Sequence, residues 1–206
     1  MVEGMNTILD ENTVFHNPID QFRMWFEEAG RTGVPFVNAM TLATCTRDGR
    51  PSARIVLLKE FDDRGFAFFT NYNSRKGREL SANPYAALVF HWPASERQIR
   101  VEGTVGQVTR EESDIYFRSR PRESQISAVV SAQSEAVPGR RILEDQWKRI
   151  SEQPRDIPVP RPEHWGGYRL RPERIEFWQS RESRLHDRIL YTEDRSGGWS
   201  IRRLAP

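Results

Sequence analysis

Cysteine is almost absent from this chain of 206 residues: Cys45 stands alone, so no internal disulfide can staple the fold and no thiolate pair can hold zinc. Long hydrophobic runs are missing as well. No stretch approaches the roughly 18 apolar residues that a membrane-spanning helix needs, and no Lys or Arg precedes Arg23, so the basic start of a secretory signal is lacking. Histidine is sparse. His16, His91, His164 and His186 are scattered without metal-ligand spacing, and no metal is expected. A surplus of one charge is lacking too: 31 Lys and Arg against 29 Asp and Glu leave a net charge of +2. That is not the footprint of a general nucleic-acid binder, and aromatic residues are not interleaved with basic ones as base-stacking platforms require. These absences point to a cytoplasmic protein of one domain, 1–206, with neither membrane nor nucleic acid as partner.

What is present is punctuation. Residues 1–16 are polar and aperiodic and are expected to be flexible; Asn17 and Pro18 then supply an N-cap and a first-turn proline for a helix with Ile19, Phe22, Trp25 and Phe26 on one face, which Gly30 can end. Ala39 to Cys45 and Ser52 to Lys59 read as strands joined by the turn Arg47-Asp48-Gly49. Phe66 to Thr70 is a third. Ser74 caps a short helix that ends before Asn83-Pro84, and strands follow over 85–92 and 97–108. Thr109 and Glu112 form a capping-box pattern that opens a helix to about Ser119, Pro121 begins another through Val130, and Ile142, Leu143, Trp147 and Ile150 mark a third within 139–152. Four prolines make 154–162 an extended connector. Strand-like runs cover 167–170, 174–179 and 185–191, and Ser196-Gly197-Gly198 turns into a last strand, 199–204. Six or more strands with helices inserted, and no βαβ alternation, predict a mainly β antiparallel barrel with α additions.

Four clusters could carry chemistry. In a strand, Arg184, His186 and Arg188 would share a face while Leu185 and Ile189 point into a core; an anion or an electron-rich ring between the arginines would offset their repulsion. A solvated strand face accounts for the same pattern. Ser74-Arg75-Lys76 places two cations at a helix N-terminus, where free N–H groups favour a phosphate. Arg54 and Lys59 bracket the apolar run Ile55-Val56-Leu57-Leu58, but strict alternation sets them on opposite faces unless a bulge or the strand end re-aims one. Tyr116, Arg120 and Ser124, spaced by four across a helix break, offer two hydroxyls and a guanidinium to a phosphate. Gln98, Gln133 and Ser134 are neutral hydrogen-bonding candidates, and Trp178 is by default a core residue.

Arg54 to Lys59, Ser74 to Lys76, Glu96 to Gln98, Tyr116 to Gln125, Gln133-Ser134, Glu176 to Gln179, Arg184 to Arg188 and the terminal Arg203 to Pro206 occur in an order that closely resembles the pyridoxamine 5′-phosphate oxidase family over about residues 17–206. The resemblance implies an FMN-binding split β-barrel of antiparallel Greek-key type and a homodimer with FMN at the subunit interface. Carried over by position, FMN contacts would come from Arg54, Ile55, Val56, Leu57, Leu58, Lys59, Phe69, Thr70, Arg75, Lys76, Gln98, Gln133, Ser134, Trp178 and Arg188. Lys59, Tyr116, Arg120, Ser124, Arg184 and His186 would hold substrate, with Arg184 and His186 also nearest the chemistry.

The reaction so implied oxidises pyridoxamine or pyridoxine 5′-phosphate at C4′ to pyridoxal 5′-phosphate, in its biosynthesis and salvage, with O2 as acceptor and hydrogen peroxide released. The protein would supply orientation and electrostatics while the cofactor performs the redox step. Residues 1–16 contain no Arg, Lys or Tyr, the residue types the resemblance implies for a segment reaching over the substrate. Two other readings share the residues: an FMN oxidase with a phenazine-type substrate, and a flavin or pyridoxal phosphate carrier without turnover.

Overall fold

The computed structural model describes residues 8–194 and 196–206. In chain order its elements are α1 (Pro18–Arg31), β1 (Ala39–Cys45), β2 (Pro51–Leu57), β3 (Glu60–Asp62), β4 (Gly65–Asn71), α2 (Arg75–Ala82), β5 (Tyr85–Trp92), β6 (Arg97–Gln107), α3 (Arg110–Ser119), α4 (Arg122–Val130), α5 (Arg140–Ser151), β7 (Trp165–Gln179), β8 (Asp187–Glu193) and β9 (Trp199–Arg203). The local signals act as expected at several boundaries. Asn17 accepts from the Ile19 N–H, Ser74 from the Gly77 N–H, and Thr109 with Glu112 closes a reciprocal capping box. Gly30 does not end α1; the helix runs one residue further, and Thr32 closes it by donating its N–H to Ala29 and Gly30 carbonyls.

The strands form one antiparallel sheet in the order β2-β1-β5-β6-β7-β4-β3, with β8 and β9 added beside β7. β7 is the strand on which the sheet turns. Its first part pairs with β4 (Phe69 opposite Gly167), its last part with β8 (Trp178 opposite Arg188), and β6 runs along nearly all of it. The two runs expected at 167–170 and 174–179 are therefore one strand. The break between them is a bulge at Glu102/Gly103, where Pro172 sits opposite Gly103 and the ladder does not need the missing donor. A Cβ at Gly103 would lie 2.0 Å from the Arg171 carbonyl oxygen, so only glycine admits this close approach. The bend curls the sheet into a half-barrel.

Inside the curl lies α1. Phe22 packs edge-on against Phe61, Phe66 and Phe90, and Trp25 against Phe177; each such ring contributes about 2–3 kcal/mol by burial. A second, smaller cluster of Phe117, Ile126, Ala128, Val159 and Trp165 seats α3 and α4 against the sheet beside Phe69 and Tyr116.

Two expectations fail. Residues 182–184 form a short 3-10 turn with Ser183 and Arg184 at positive φ, β8 begins only at Asp187, and Leu185 is 70% exposed instead of core. The alternation argued for 184–188 therefore holds only from Asp187 onward, because the turn's left-handed residues break the period of two. Within the segment expected to be flexible, residues 8–16 are anchored: Leu9 is buried, its carbonyl accepts from Arg203 Nη2 at 2.8 Å, and the Phe15 carbonyl accepts from the Tyr191 hydroxyl at 2.7 Å. Residues 1–7 of that segment lie outside the described residues.

Candidate active site

A cleft of about 980 Å³ opens between β2, the end of β4, the start of α2, the α3–α4 corner and the loop 131–134. That is the size of a cofactor pocket. It brings together Arg54, Ile55, Val56, Leu57, Lys59, Phe69, Thr70, Arg75, Lys76, Tyr116, Arg120, Ser124, Gln133 and Ser134. Arg54 and Lys59 do reach the same space. β2 ends at Leu57, the Leu58 N–H bonds the Asn38 carbonyl and the Lys59 N–H bonds the Ala67 carbonyl, so the chain leaves its ladder and re-aims Lys59. Leu58 itself does not line the cleft; its side chain is 4% exposed in the core.

One end of the cleft is cationic. Arg75 donates its N–H to Ser134 Oγ at 3.1 Å, which ties the loop 131–134 to the first turn of α2. The Lys76 ammonium donates to Thr70 Oγ1 at 3.1 Å, Ser74 Oγ at 3.3 Å and Gln133 Oε1 at 3.0 Å, and to no carboxylate among the described residues. Burial, reinforced by the charge of Arg54, lowers its pKa to about 8. Among the described residues Glu79 is the single carboxylate paired with Arg54 and Arg75, and Lys76 has none, so positive charge is left over for an anion.

The other end is aromatic. Phe69 stacks on Tyr116 with ring centroids 4.0 Å apart, and Trp165 continues the stack 5.7 Å from Phe69. Lys59 Nζ lies 5.9 Å from the Tyr116 ring, and the Arg120 guanidinium 4.6 Å from Trp165 and 5.7 Å from Phe117. Arg120 Nη1 is buried and has no hydrogen-bond partner among the described residues, and burial lowers the guanidinium's pKa. A buried donor left unmade costs about 1–3 kcal/mol, so this is a site prepared for an acceptor.

The remaining expected residues, Gln98, Trp178, Arg184, His186 and Arg188, do not line this cleft. They belong to the far end of β7: Trp178 lies about eleven residues beyond Gly167, roughly 35 Å along the strand at ~3.3 Å per residue. There Gln98, Trp178 and Arg188 sit opposite one another and share a face of the sheet. The His186 ring lies 4.7 Å from that of Trp178, and His186 Nδ1 accepts the Arg181 N–H at 3.1 Å, which leaves Nε2 to carry the proton of the neutral ring. Arg188 donates to Glu176 Oε1 at 2.8 Å and to the Ala205 carbonyl at 2.8 Å, and Glu176 raises its pKa.

Sequence reasoning missed Trp165, Asn71, Ser52, Ser127 and Ser131 in the cleft wall and Glu79 behind it. Only Glu79 left a signal, its i, i+4 spacing from Arg75. Among the described residues no group of His, Cys, Asp and Glu could hold a metal, and no helix is long and apolar enough to cross a membrane.

Comparison with known proteins agrees with this architecture. Residues 26–153 match the family model described as pyridoxamine 5′-phosphate oxidase, and 165–206 the model described as pyridoxine 5′-phosphate oxidase C-terminal dimerisation region. Proteins named pyridoxine/pyridoxamine 5′-phosphate oxidase are 55% identical in Herminiimonas arsenicoxydans and 59% identical in Ralstonia nicotianae; each alignment spans 96% of this chain and 93% of the relative. Among solved structures, PhzG from Burkholderia lata 383, in complex with tetrahydrophenazine-1-carboxylic acid, superposes with a TM-score of 0.92 at 30% identity over 98% of both chains. A pyridoxamine 5′-phosphate oxidase-related, FMN binding protein from Nostoc punctiforme gives a TM-score of 0.73 at 16% identity over 92% of this chain and 98% of its own, a likeness of fold. The half-barrel is thus the split barrel expected, and the chain belongs to the pyridoxamine 5′-phosphate oxidase family.

Proposed function

We propose that the protein is an FMN-dependent oxidase that converts pyridoxamine 5′-phosphate and pyridoxine 5′-phosphate to pyridoxal 5′-phosphate. The observation that supports this reading is one cleft lined by two cationic clusters: Arg54, Arg75 and Lys76, and Arg120 with Tyr116 and Ser124. Two phosphorylated molecules can then lie together with their rings between the ends. FMN fits the first site, since its phosphate takes up the charge that Glu79 leaves over and the α2 N-terminus adds its dipole. When bound, FMN supplies the two-electron acceptor and passes the electrons to O2, giving hydrogen peroxide.

The chain's own residues do the placing. Lys59 lies beside the Tyr116 ring, Arg120 takes the substrate phosphate with its guanidinium, and Tyr116 and Ser124 add hydroxyls. Gln98, Trp178, Arg184, His186 and Arg188 complete the site from the partner protomer of a homodimer. This is supported by their common location at the Gln179 end of β7, and by the dimerisation region to which all but Gln98 belong. Arg184 and His186 then close over the substrate ring, and His186 Nε2 faces it as a group that can hold or release a proton.

The likeness to PhzG favours a second reading, a tricyclic carboxylate substrate in the same fold. The Arg120 site speaks for a phosphate instead. The test is anaerobic addition of pyridoxamine 5′-phosphate to the yellow protein: bleaching of the flavin band with formation of pyridoxal 5′-phosphate is expected, then return of the colour and release of hydrogen peroxide on admitting air. A flavin-loaded protein that stays yellow with this substrate and bleaches with a reduced phenazine carboxylate would establish the second reading.

A further inference from the structure

Glu79 lies behind the cationic end of the cleft without lining it. It projects from α2 four residues after Arg75, is 5% exposed, and collects four donors. Thr44 Oγ1 at 2.5 Å, Ser52 Oγ at 2.6 Å and Arg54 Nη2 at 3.4 Å reach Oε2, while Arg75 Nε reaches Oε1 at 2.9 Å. The two hydroxyls also accept: Arg54 Nη1 donates to Thr44 Oγ1 and Nη2 to Ser52 Oγ, both at 2.5 Å. A hydroxyl has one proton to give and lone pairs to receive. The direction of the relay is therefore fixed, from both tines of the Arg54 fork through the hydroxyls to the carboxylate.

Arg54 comes from β2 and Arg75 from α2, and two guanidinium groups brought together repel. Glu79 is the group both touch. Burial opposes its ionisation, but hydrogen bonds from Ser52, Thr44 and Arg75 and the charge of Arg54 outweigh it and hold the pKa at about 2. The carboxylate is charged wherever the protein works.

We propose that Glu79 is a positioning residue, which aims Arg54, through the Thr44–Ser52 relay, and Arg75, through its own bond to Oε1, together at the phosphate of FMN. This rests on the FMN reading above. Charge alone argues the opposite result on removing it: a cleft that loses a carboxylate becomes more positive and should hold a phosphate more tightly. Positioning requires that it hold the phosphate less tightly, because both arginines lose their common acceptor and turn on one another.

The experiment compares FMN with riboflavin, which lacks the phosphate, by quenching of flavin fluorescence on flavin-stripped protein. Glu79→Gln is expected to weaken FMN at least roughly tenfold, the scale of one lost charged hydrogen bond, and to leave riboflavin within about twofold. Glu79→Asp, with the charge kept and the reach shortened, should recover part of the loss. FMN affinity unchanged or tighter in Glu79→Gln overturns the proposal, and so does an equal loss for both flavins, which marks a structural role. Should Glu79→Gln not fold, Thr44→Val removes one hydroxyl and keeps every charge: the same FMN-selective weakening, smaller in size, is expected, and unchanged FMN affinity overturns the idea. Wild-type protein that binds neither flavin refutes the FMN reading itself, and this inference with it.

Discussion

Arg120 lies over Trp165, its guanidinium carbon 4.6 Å from the ring centroid, and keeps one buried nitrogen without an acceptor among the described residues. If the guanidinium holds the substrate phosphate as proposed, its planar fork does so in a way that lysine cannot copy. Arg120→Ala should raise KM for pyridoxamine 5′-phosphate by roughly 10- to 150-fold, the equivalent of about 1.5–3 kcal/mol, with kcat changed far less. Arg120→Lys should recover little of it. Steady-state peroxide assays over a range of substrate decide the matter; an unchanged KM removes Arg120 from the substrate site.

Lys76 titrates at about 8 in the unliganded protein. A phosphate favours its charged form, so below that pH FMN meets a ready cation, and above it binding must take up a proton. FMN affinity should therefore fall by up to about tenfold per pH unit above pH 8, a range in which the phosphate itself, with a second pKa of about 6, keeps its charge. Lys76→Met should bind more weakly at neutral pH but lose this slope. A wild-type profile flat from pH 7 to 9.5 would contradict the assignment.

His186 and Arg184 stand at the opposite end of β7 from the cleft of their own chain. His186→Ala or Arg184→Ala is expected to lower turnover while FMN stays bound. Mixing His186→Ala protomers with Arg120→Ala protomers, assayed at substrate far below the raised KM where both parents are impaired, should bring activity to roughly a quarter of wild type, since half of the dimers are mixed and each has one intact site. No recovery after verified subunit exchange would mean that each protomer builds its site alone.

Gly103 faces the Arg171 carbonyl where β7 bulges. Gly103→Ala should cost about 1–3 kcal/mol by overpacking, read as a fall in the denaturant midpoint with the slope preserved. A midpoint unmoved by the substitution would show that the bend in β7 tolerates a side chain.

Much of this architecture was legible because its signals are local. Asn17-Pro18, Ser74 and Thr109 with Glu112 begin helices through bonds within one turn, and Arg47-Asp48-Gly49 closes a hairpin whose Gly49 has positive φ. What escaped depends on distant partners. Pro172 looked like a strand end because its tolerance comes from Gly103, some seventy residues earlier. The turn at 182–184 was hidden because Ser183 and Arg184 take left-handed backbone without glycine to announce it, at a cost of about 1–3 kcal/mol each. Of the cleft, the charged residues stood out by chemistry; Trp165 did not, since a lone tryptophan after a proline-rich connector reads as ordinary core.

β7 carries Trp165 at one end and Trp178 at the other, and its neighbours fix the register of each end on either side of the bulge opposite Gly103. Because successive residues of a strand face opposite ways, slippage by one position would turn both tryptophans round together. A one-residue insertion or deletion between them would leave one tryptophan in place and turn the other to the opposite face. The distance in residues between the two rings thus decides which face each end of the strand presents.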